Sequence, residues 1–159
     1  DQYGGNLKNR SRLPLEIFSQ IRKIWPRNKI LGARITGSDN LLNGLKINDA
    51  VYLAKELKKL NADYVAVTSG GIISKTKIKY FQGYQVKFAE SIKKKSKIKV
   101  IALGMLNSNK LINKILKKNK TDLVAVSRRF INNPYWLIKE IIKKNKDVKL
   151  IESQYSRCL

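Results

Sequence analysis

Residues 63–71 of the chain read DYVAVTSGG, an apolar run that ends in three turn-forming residues. The run from Asp63 to Thr68 shows no apolar–polar alternation, which is typical of a strand buried on both faces of a parallel sheet. Similar runs lie at Lys29 to Ile35, Ile98 to Leu103 and Asp122 to Val126. We therefore predict four strands, of which residues 63–68 form the second.

Each predicted strand is followed by turn residues and then by a segment with helical spacing of apolar side chains. These four segments are Ile47 to Leu60, Gln85 to Lys95, Asn109 to Lys118 and Pro134 to Lys144. A further helix, about Asn9 to Trp25, precedes the first strand. Strand and helix alternate four times, which predicts an α/β fold with parallel strands and right-handed crossovers.

Two architectures fit this alternation, a doubly wound sheet and part of a (β/α)8 barrel. No G-x-G-x-x-G follows a strand, which weakens the first reading. Four units are half of the eight in a barrel that takes about 250 residues, and this chain has 159. We expect residues 1–159 to form one partial domain with a C-terminal tail at 147–159. The first residue is Asp1 and the single methionine is Met105, so we also expect the sequence to be a fragment.

The composition gives a net charge of +23, which would suit a nucleic-acid-binding protein. Lys, Ile and Asn are all abundant, however, and all three have A/T-rich codons. Codon bias therefore explains the lysines, and we interpret their runs as solvated helix ends where cations suit the helix dipole. With no histidine and only Cys158, we expect no metal site. No signal peptide or membrane span is visible, so we expect a cytoplasmic protein that binds no membrane.

In a barrel, functional residues gather at the C-terminal ends of the strands. Gly104 follows the third run, and Ser127 and Arg128 follow the fourth. Loops after the last two strands of such barrels commonly hold phosphate with backbone N–H groups and a helix N-terminus. The alternative for Arg128 and Arg129 is a solvated helix start, although a cation there is unfavourable unless an anion binds.

Arg34 lies inside an apolar strand at the predicted barrel mouth, where a charge needs a partner. A polar edge of a cofactor is one possible partner. A structural ion pair with Asp39 or Glu90 is the other, and spacing alone leaves both open.

Motifs along the whole chain resemble the Old Yellow Enzyme family of FMN-dependent NAD(P)H oxidoreductases and ene-reductases. Residues 1–16 are similar to its D-x-Y-G-G…N-R-x-R-F-x-L-E segment, and residues 33–39 to its V-R-[LV]-S-x-S-D strand. Residues 83–90 resemble G-Y-Q-V-x-F-A-E, residues 122–136 resemble D-L-V-A-x-G-R…D-P-x-W, and residues 154–157 match Q-Y-x-R. The motifs occur in the family's order and match the C-terminal half of its barrel.

The resemblance implies that Arg34 contacts the flavin pyrimidine edge and that Gly104, Ser127 and Arg128 hold the FMN phosphate. It implies that Arg157 reaches a neighbouring subunit's active site, and hence a homo-oligomer. NAD(P)H would be the hydride source and an enone-type alkene the substrate. The family's substrate-binding histidines lie upstream of residue 1, in the missing N-terminal half. This chain would then carry no catalytic residue apart from Arg157.

Departures from the family pattern leave two further hypotheses. Ser127 stands where the family has glycine, and a Cβ there could crowd the phosphate. An inactive remnant of such an enzyme is therefore one alternative. A basic half-barrel that binds nucleic acid is another, which the codon composition makes the less favoured one.

Overall fold

A computed structural model describes residues 1–74, 76 and 78–145. Four strands form one sheet in the order β1-β2-β3-β4, and every neighbouring pair is parallel. The strands are β1 (Gly32–Thr36), β2 (Tyr64–Thr68), β3 (Lys99–Ala102) and β4 (Leu123–Val124). The four predicted strands are therefore confirmed, each shorter than its apolar run.

Six helices lie in the described part of the chain. They are α1 (Leu7–Ile24), α2 (Ile47–Lys59), α3 (Val86–Ser96), α4 (Asn109–Lys117), α5 (Arg128–Asn132) and α6 (Trp136–Asn145). Five correspond to the predicted helices, whereas the five-residue α5 was not predicted. No helix among these residues is both long and apolar enough to cross a membrane.

The two faces of the sheet differ in burial, which decides between the two architectures. Val65, Val67, Val100 and Ala102 face one side and are fully buried. The row at Arg34, Ala66, Ile101 and Leu123 faces the other side and is only partly covered or exposed. Sequential parallel strands with crossovers of one hand place all helices on one face, as in a barrel. A doubly wound sheet reverses its strand order and covers both faces.

The core lies between this covered face and helices α2 and α3. Ala50, Ala54 and Ala89 point into it and are fully buried, as is Ile92. Alanines on the helices let the backbones approach the valine-rich face of the sheet closely. The helices that form the outer layer of a barrel thus pack on the sheet. The face of the sheet that would line the inside of the barrel stays open.

Two aspartates occupy the same position at the starts of β2 and β4. The carboxylate of Asp63 accepts the Leu31 N–H at 2.7 Å, and the carboxylate of Asp122 accepts the Val100 N–H at 2.9 Å. Each aspartate also donates its own backbone N–H to the carbonyl of that same partner residue. Each aspartate therefore extends the hydrogen bonding between neighbouring strands by one residue before its own strand begins.

Asp122 also joins the end of α3 to the sheet. Its carboxylate lies 3.2 Å from Lys93 Nζ and 3.5 Å from Lys99 Nζ. Burial alone raises the pKa of Asp122, but the Val100 N–H and the two lysines outweigh it and hold the pKa below its usual value. On the same helix, hydrogen bonds from Lys120 and Lys94 lower the pKa of Glu90.

The chain divides into two compact units, residues 1–125 and 126–159. The first contains the whole sheet and α1 to α4. Within the second, Trp136 is buried and packs edge-to-face on Phe130, with ring centroids 5.6 Å apart. The tail predicted at 147–159 lies outside the described residues.

We expect Asp122→Asn to lower the free energy of unfolding by about 1–2 kcal/mol at neutral pH, because charge-assisted contacts are lost. The folded-state pKa is depressed, so this stabilisation is present above about pH 4 and is lost as the pH falls through the folded pKa. Urea unfolding at pH 7 and at about pH 2–3 measures the difference between the proteins.

The control for Asp122→Asn is Glu56→Gln, which removes only a surface pair with the exposed Lys59. We expect the control to cost less than about 0.5 kcal/mol. A gap between wild type and Asp122→Asn that stays constant across the pH range would contradict this role of Asp122.

Candidate flavin site at the strand C-termini

The loop after β1 is held by the carboxylate of Asp39. One oxygen accepts the Leu45 N–H at 2.7 Å, and the Asp39 N–H donates to the Leu45 carbonyl at 2.9 Å. Gly37 precedes this loop, and a Cβ there would lie 2.6 Å from the Phe88 Cβ. The first βα loop is therefore fixed by its own backbone bonds and by the packing of α3.

Arg34 lies in the middle of β1, on the open face of the sheet. Its side chain is exposed, and it forms no ion pair with any residue that the structure describes. The structural ion pair considered from the sequence is therefore absent: Asp39 bonds the loop backbone, and Glu90 pairs with Lys94 and Lys120 at 3.0 and 2.7 Å. Those carboxylates belong to the loop and to the outer helical layer, whereas Arg34 faces inward.

The loop after β2 carries polar groups that the sequence did not single out as a site. Ser69 is buried, and its hydroxyl has no hydrogen-bond partner in the described structure. Gln85 is also buried, and its side-chain amide reaches the Ser69 carbonyl at 3.4 Å and the Tyr84 hydroxyl at 3.0 Å. The sequence signal was a glutamine just before an apolar helix, which by itself predicts only a helix start.

Gly104 follows β3 in a conformation that favours glycine, with φ +108°. A Cβ there would lie 3.0 Å from both the backbone nitrogen and the Cβ of Gln85. The Gly104 carbonyl accepts the Gly83 N–H at 2.8 Å, and Met105 also has a positive φ of 53°. The close packing against Gln85, at the start of α3, is thus one reason for a glycine at position 104, besides the predicted anion contact.

Near the start of the second unit lie Ser127, which is the N-cap of α5, and the first two residues of α5, Arg128 and Arg129. Ser127 has φ −118°, so its backbone does not require the glycine found in the family motif. The Arg129 guanidinium lies over the Trp136 ring, 5.4 Å from its centroid. Arg128 is exposed. The structure therefore separates the two arginines: Arg129 packs within its unit, and Arg128 is the one available to a ligand.

The predicted site residues thus fall into three groups. Arg34 and Gly104 lie in the first unit, on strands or loops whose C-terminal ends point the same way. Ser127 and Arg128 lie in the second unit, and Arg157 lies outside the described residues. No cluster of three or more His, Cys, Asp or Glu side chains suitable for a metal occurs among the residues described.

These residues fit a flavin in part. Arg34 forms no ion pair with the described residues and lies on the face that a closed barrel would enclose, and FMN offers polar atoms and a phosphate. Arg128 is exposed and likewise forms no ion pair with them, and its guanidinium matches phosphate oxygens in a bidentate manner. At Gly104 the Cβ position is filled by Gln85, so this loop offers backbone N–H groups and no empty cradle.

A sheet of sequential parallel strands with helices on one face and polar groups at the strand C-termini defines this chain as part of a (β/α)8 barrel. The model of the NADH:flavin oxidoreductase / NADH oxidase family matches residues 1–147. The chain belongs to this family, so the family membership inferred from its motifs is confirmed.

Curated relatives support the same membership. An NADPH dehydrogenase of Geobacillus sp. (strain WCH70) is 38% identical over 136 residues, which are 86% of this chain and 39% of that protein. An NADPH dehydrogenase of Clostridium acetobutylicum is 34% identical over 149 residues, 93% of this chain and 43% of that protein. The chain thus spans about two fifths of the length of these relatives.

Solved structures confirm the fold. Morphinone reductase in complex with tetrahydroNAD matches with a TM-score of 0.64 and 26% identity, over 90% of this chain and 36% of that one. The old yellow enzyme homologue from Zymomonas mobilis matches with a TM-score of 0.68 and 19% identity, over 91% of this chain and 40% of that one. The prediction of a partial barrel, made from four strand–helix units, is confirmed.

We expect Gly104→Ala to destabilise the chain by about 2–4 kcal/mol, because it combines backbone strain with overpacking against Gln85. Gly71→Ala is the matched control, since Gly71 also has a positive φ, of 82°, but nothing within 4 Å of its Cβ position. The control should cost only the strain, about 1–2 kcal/mol. Chemical unfolding of both variants tests the packing role, and equal losses would refute it.

Proposed function

We propose that this chain supplies the flavin-binding part of an FMN-dependent NAD(P)H oxidoreductase that reduces activated alkenes. The observation that carries the proposal is the family match over residues 1–147, together with an Arg34 on the open face of the sheet that has no ion-pair partner in the described part of the chain. The names of the relatives, NADPH dehydrogenases, support the nicotinamide co-substrate. We place the complete protein in the cytoplasm.

Arg34 would bind the pyrimidine edge of the flavin. Its neighbours in register are Ala66 and Ile101, which offer it no counter-charge. If the remaining strands closed the barrel, this face would become the interior, and an enclosed guanidinium requires a polar partner. The carbonyl-bearing edge of a flavin provides acceptors of that kind.

The phosphate would be held by backbone N–H groups around Gly104 and Ser127 and by the Arg128 guanidinium. A guanidinium at the start of α5 is unfavourable in isolation, because the N-terminal end of a helix is positive. A bound phosphate would remove that conflict, and charge-assisted hydrogen bonds would form with it. Arg129 would take no part, since it stacks on Trp136.

When bound, FMN would supply hydride transfer from NAD(P)H to the β-carbon of an enone-type alkene. The residues of this chain would bind and orient it, while substrate-binding residues would come from the missing N-terminal half of the barrel. Arg157 would reach the active site of a neighbouring subunit, so we propose a homo-oligomer. One alternative is an inactive remnant, for which the observation is a serine at position 127.

In the complete protein we expect Arg128→Ala to weaken FMN binding roughly tenfold to a hundredfold, because one charged hydrogen-bonding group is worth about 1.5–3 kcal/mol. Arg129→Ala is the matched control: it removes the contact with Trp136 and should lower thermal stability while leaving the FMN dissociation constant within about twofold. Titration of apoprotein followed by flavin absorbance gives both constants.

An unchanged FMN affinity in Arg128→Ala would remove Arg128 from the phosphate site. Failure of the wild-type complete protein to bind FMN at all would favour the inactive remnant. The two outcomes are distinct, since the first needs a working flavin protein and the second excludes one.

We expect the 159-residue chain alone to show no alkene reduction, because its open face gives the flavin only one wall. NADPH consumption with an enone acceptor, measured with added FMN, checks this expectation. The complete protein is the positive control. Turnover by the isolated chain would show that the N-terminal half of the barrel is dispensable.

A further inference from the structure

The cations of the first unit are concentrated at one end of the barrel. We define the αβ end as the last turn of α1 to α4 with the connection to the next strand, residues 21–31, 56–63, 93–98 and 114–122. We define the βα end as each connection after β1, β2 and β3 with the first turn of the next helix, residues 37–50, 69–89 and 103–112. The αβ end holds 14 Lys or Arg in 34 residues, and the βα end holds 6 in 45.

Side-chain contacts join the four segments of the αβ end into one surface. Arg22 lies 3.7 Å from Asp63, which links the first segment to the second. Lys58 Nζ donates to the Lys97 carbonyl at 2.8 Å, which links the second to the third. Lys93 pairs with Asp122 at 3.2 Å, which links the third to the fourth.

The few carboxylates of this surface are already engaged. Asp63 and Asp122 accept backbone N–H groups and pair with cations, and Glu56 pairs with Lys59. Several exposed lysines take part in no ion pair among the described residues, among them Lys95, Lys97, Lys114, Lys117 and Lys118. The αβ end therefore carries a large positive charge that the described carboxylates do not neutralise.

Codon bias explains an abundance of lysine but not its location. It enriches exposed positions at both ends alike, whereas the density of cations at the αβ end is about three times that at the βα end. Helix dipoles favour cations in the last turn of a helix. They do not account for Arg27 and Lys29, which lie in the connection beyond the end of α1.

We propose that the αβ end binds the phosphate backbone of a nucleic acid, as a second function beside the proposed flavin chemistry at the opposite end. A membrane surface is less suitable, since peripheral binding uses apolar anchors beside the cations. From residue 56 to residue 122 the αβ end exposes only one large apolar side chain, Leu116 at 37%. The other exposed apolar side chains of the αβ end all lie in its first segment, between the end of α1 and the edge strand β1, where the rest of a barrel would pack. They are Ile21, Ile24, Trp25 and Ile30.

The test is fluorescence anisotropy of a labelled 20-nucleotide oligothymidylate with the full 159-residue chain between 50 and 200 mM NaCl. The αβ-end variant replaces Lys95, Lys114, Lys117 and Lys118 by glutamine. The matched control replaces the same number of exposed lysines elsewhere, Lys8, Lys55, Lys79 and Lys110. Both variants lose four charges, so they differ only in where the charge is removed.

We expect the αβ-end variant to bind at least about tenfold more weakly at 50 mM salt. The slope of log K against log salt should fall in magnitude by about 2–3, since each contact to a single strand contributes about 0.7. The control should change affinity less than about threefold. Far-UV circular dichroism verifies that both variants remain folded.

Equal losses in both variants would overturn the proposal, because binding would then follow total charge and not this surface. Absence of salt-dependent binding by the wild-type chain would also overturn it. Binding to phosphatidylcholine–phosphatidylglycerol vesicles in a 7:3 ratio, without binding to the oligonucleotide, would assign the surface to a membrane instead. None of these outcomes affects the flavin proposal, since FMN affinity is measured separately and depends on residues at the βα end and on the second unit.

Discussion

Sequential parallel pairing of the strands determines most of what this chain can do. Each crossover returns on the same side, so the helices all cover one face of the sheet and the other face stays open. Within the first unit, the same pairing sends the strand C-termini to one end and the C-termini of α1 to α4 to the other. The strand topology therefore places three features apart from one another. Arg34 lies on the open face, the glycine-rich loops lie at the strand C-termini, and the lysine-rich connections lie at the helix C-termini.

The aspartates at the starts of β2 and β4 show how that pairing is held at the αβ end. Asp63 and Asp122 stand one residue before their strands and bond both backbone groups of the residue opposite. The segments around them are similar in sequence, ADYVAVT at 62–68 and TDLVAVS at 121–127. The segments at 62–68 and 121–127 therefore share the hydrogen bonds that set the strand register, and not only the apolar pattern.

The strands and helices could be predicted from the sequence because their apolar spacing is local. The choice between a barrel and a doubly wound sheet does not follow from that local spacing, since it depends on strand order and on which face is covered. The number of strand–helix units and the family motifs predicted the barrel, and the strand order agrees with them. Arg34 shows the same limit: its type and position indicated a functional cation, but only the fold shows that Asp39 bonds its own loop and that Glu90 lies in the helical layer. The buried Ser69 and Gln85 were missed because their contact joins residues 16 positions apart.

Two adjacent arginines illustrate why composition and spacing do not assign roles. Arg128 and Arg129 have the same charge and both begin α5, so the sequence treats them alike. Trp136 lies one helical segment further on, and its buried ring takes the Arg129 guanidinium. To bind a phosphate, Arg129 would have to leave its contact with the Trp136 ring, which lowers the net stabilisation. Arg128 is exposed and would lose no such contact. The distinction comes from a packing contact between α5 and α6, and it is the reason why we propose Arg128, and not Arg129, for the FMN phosphate.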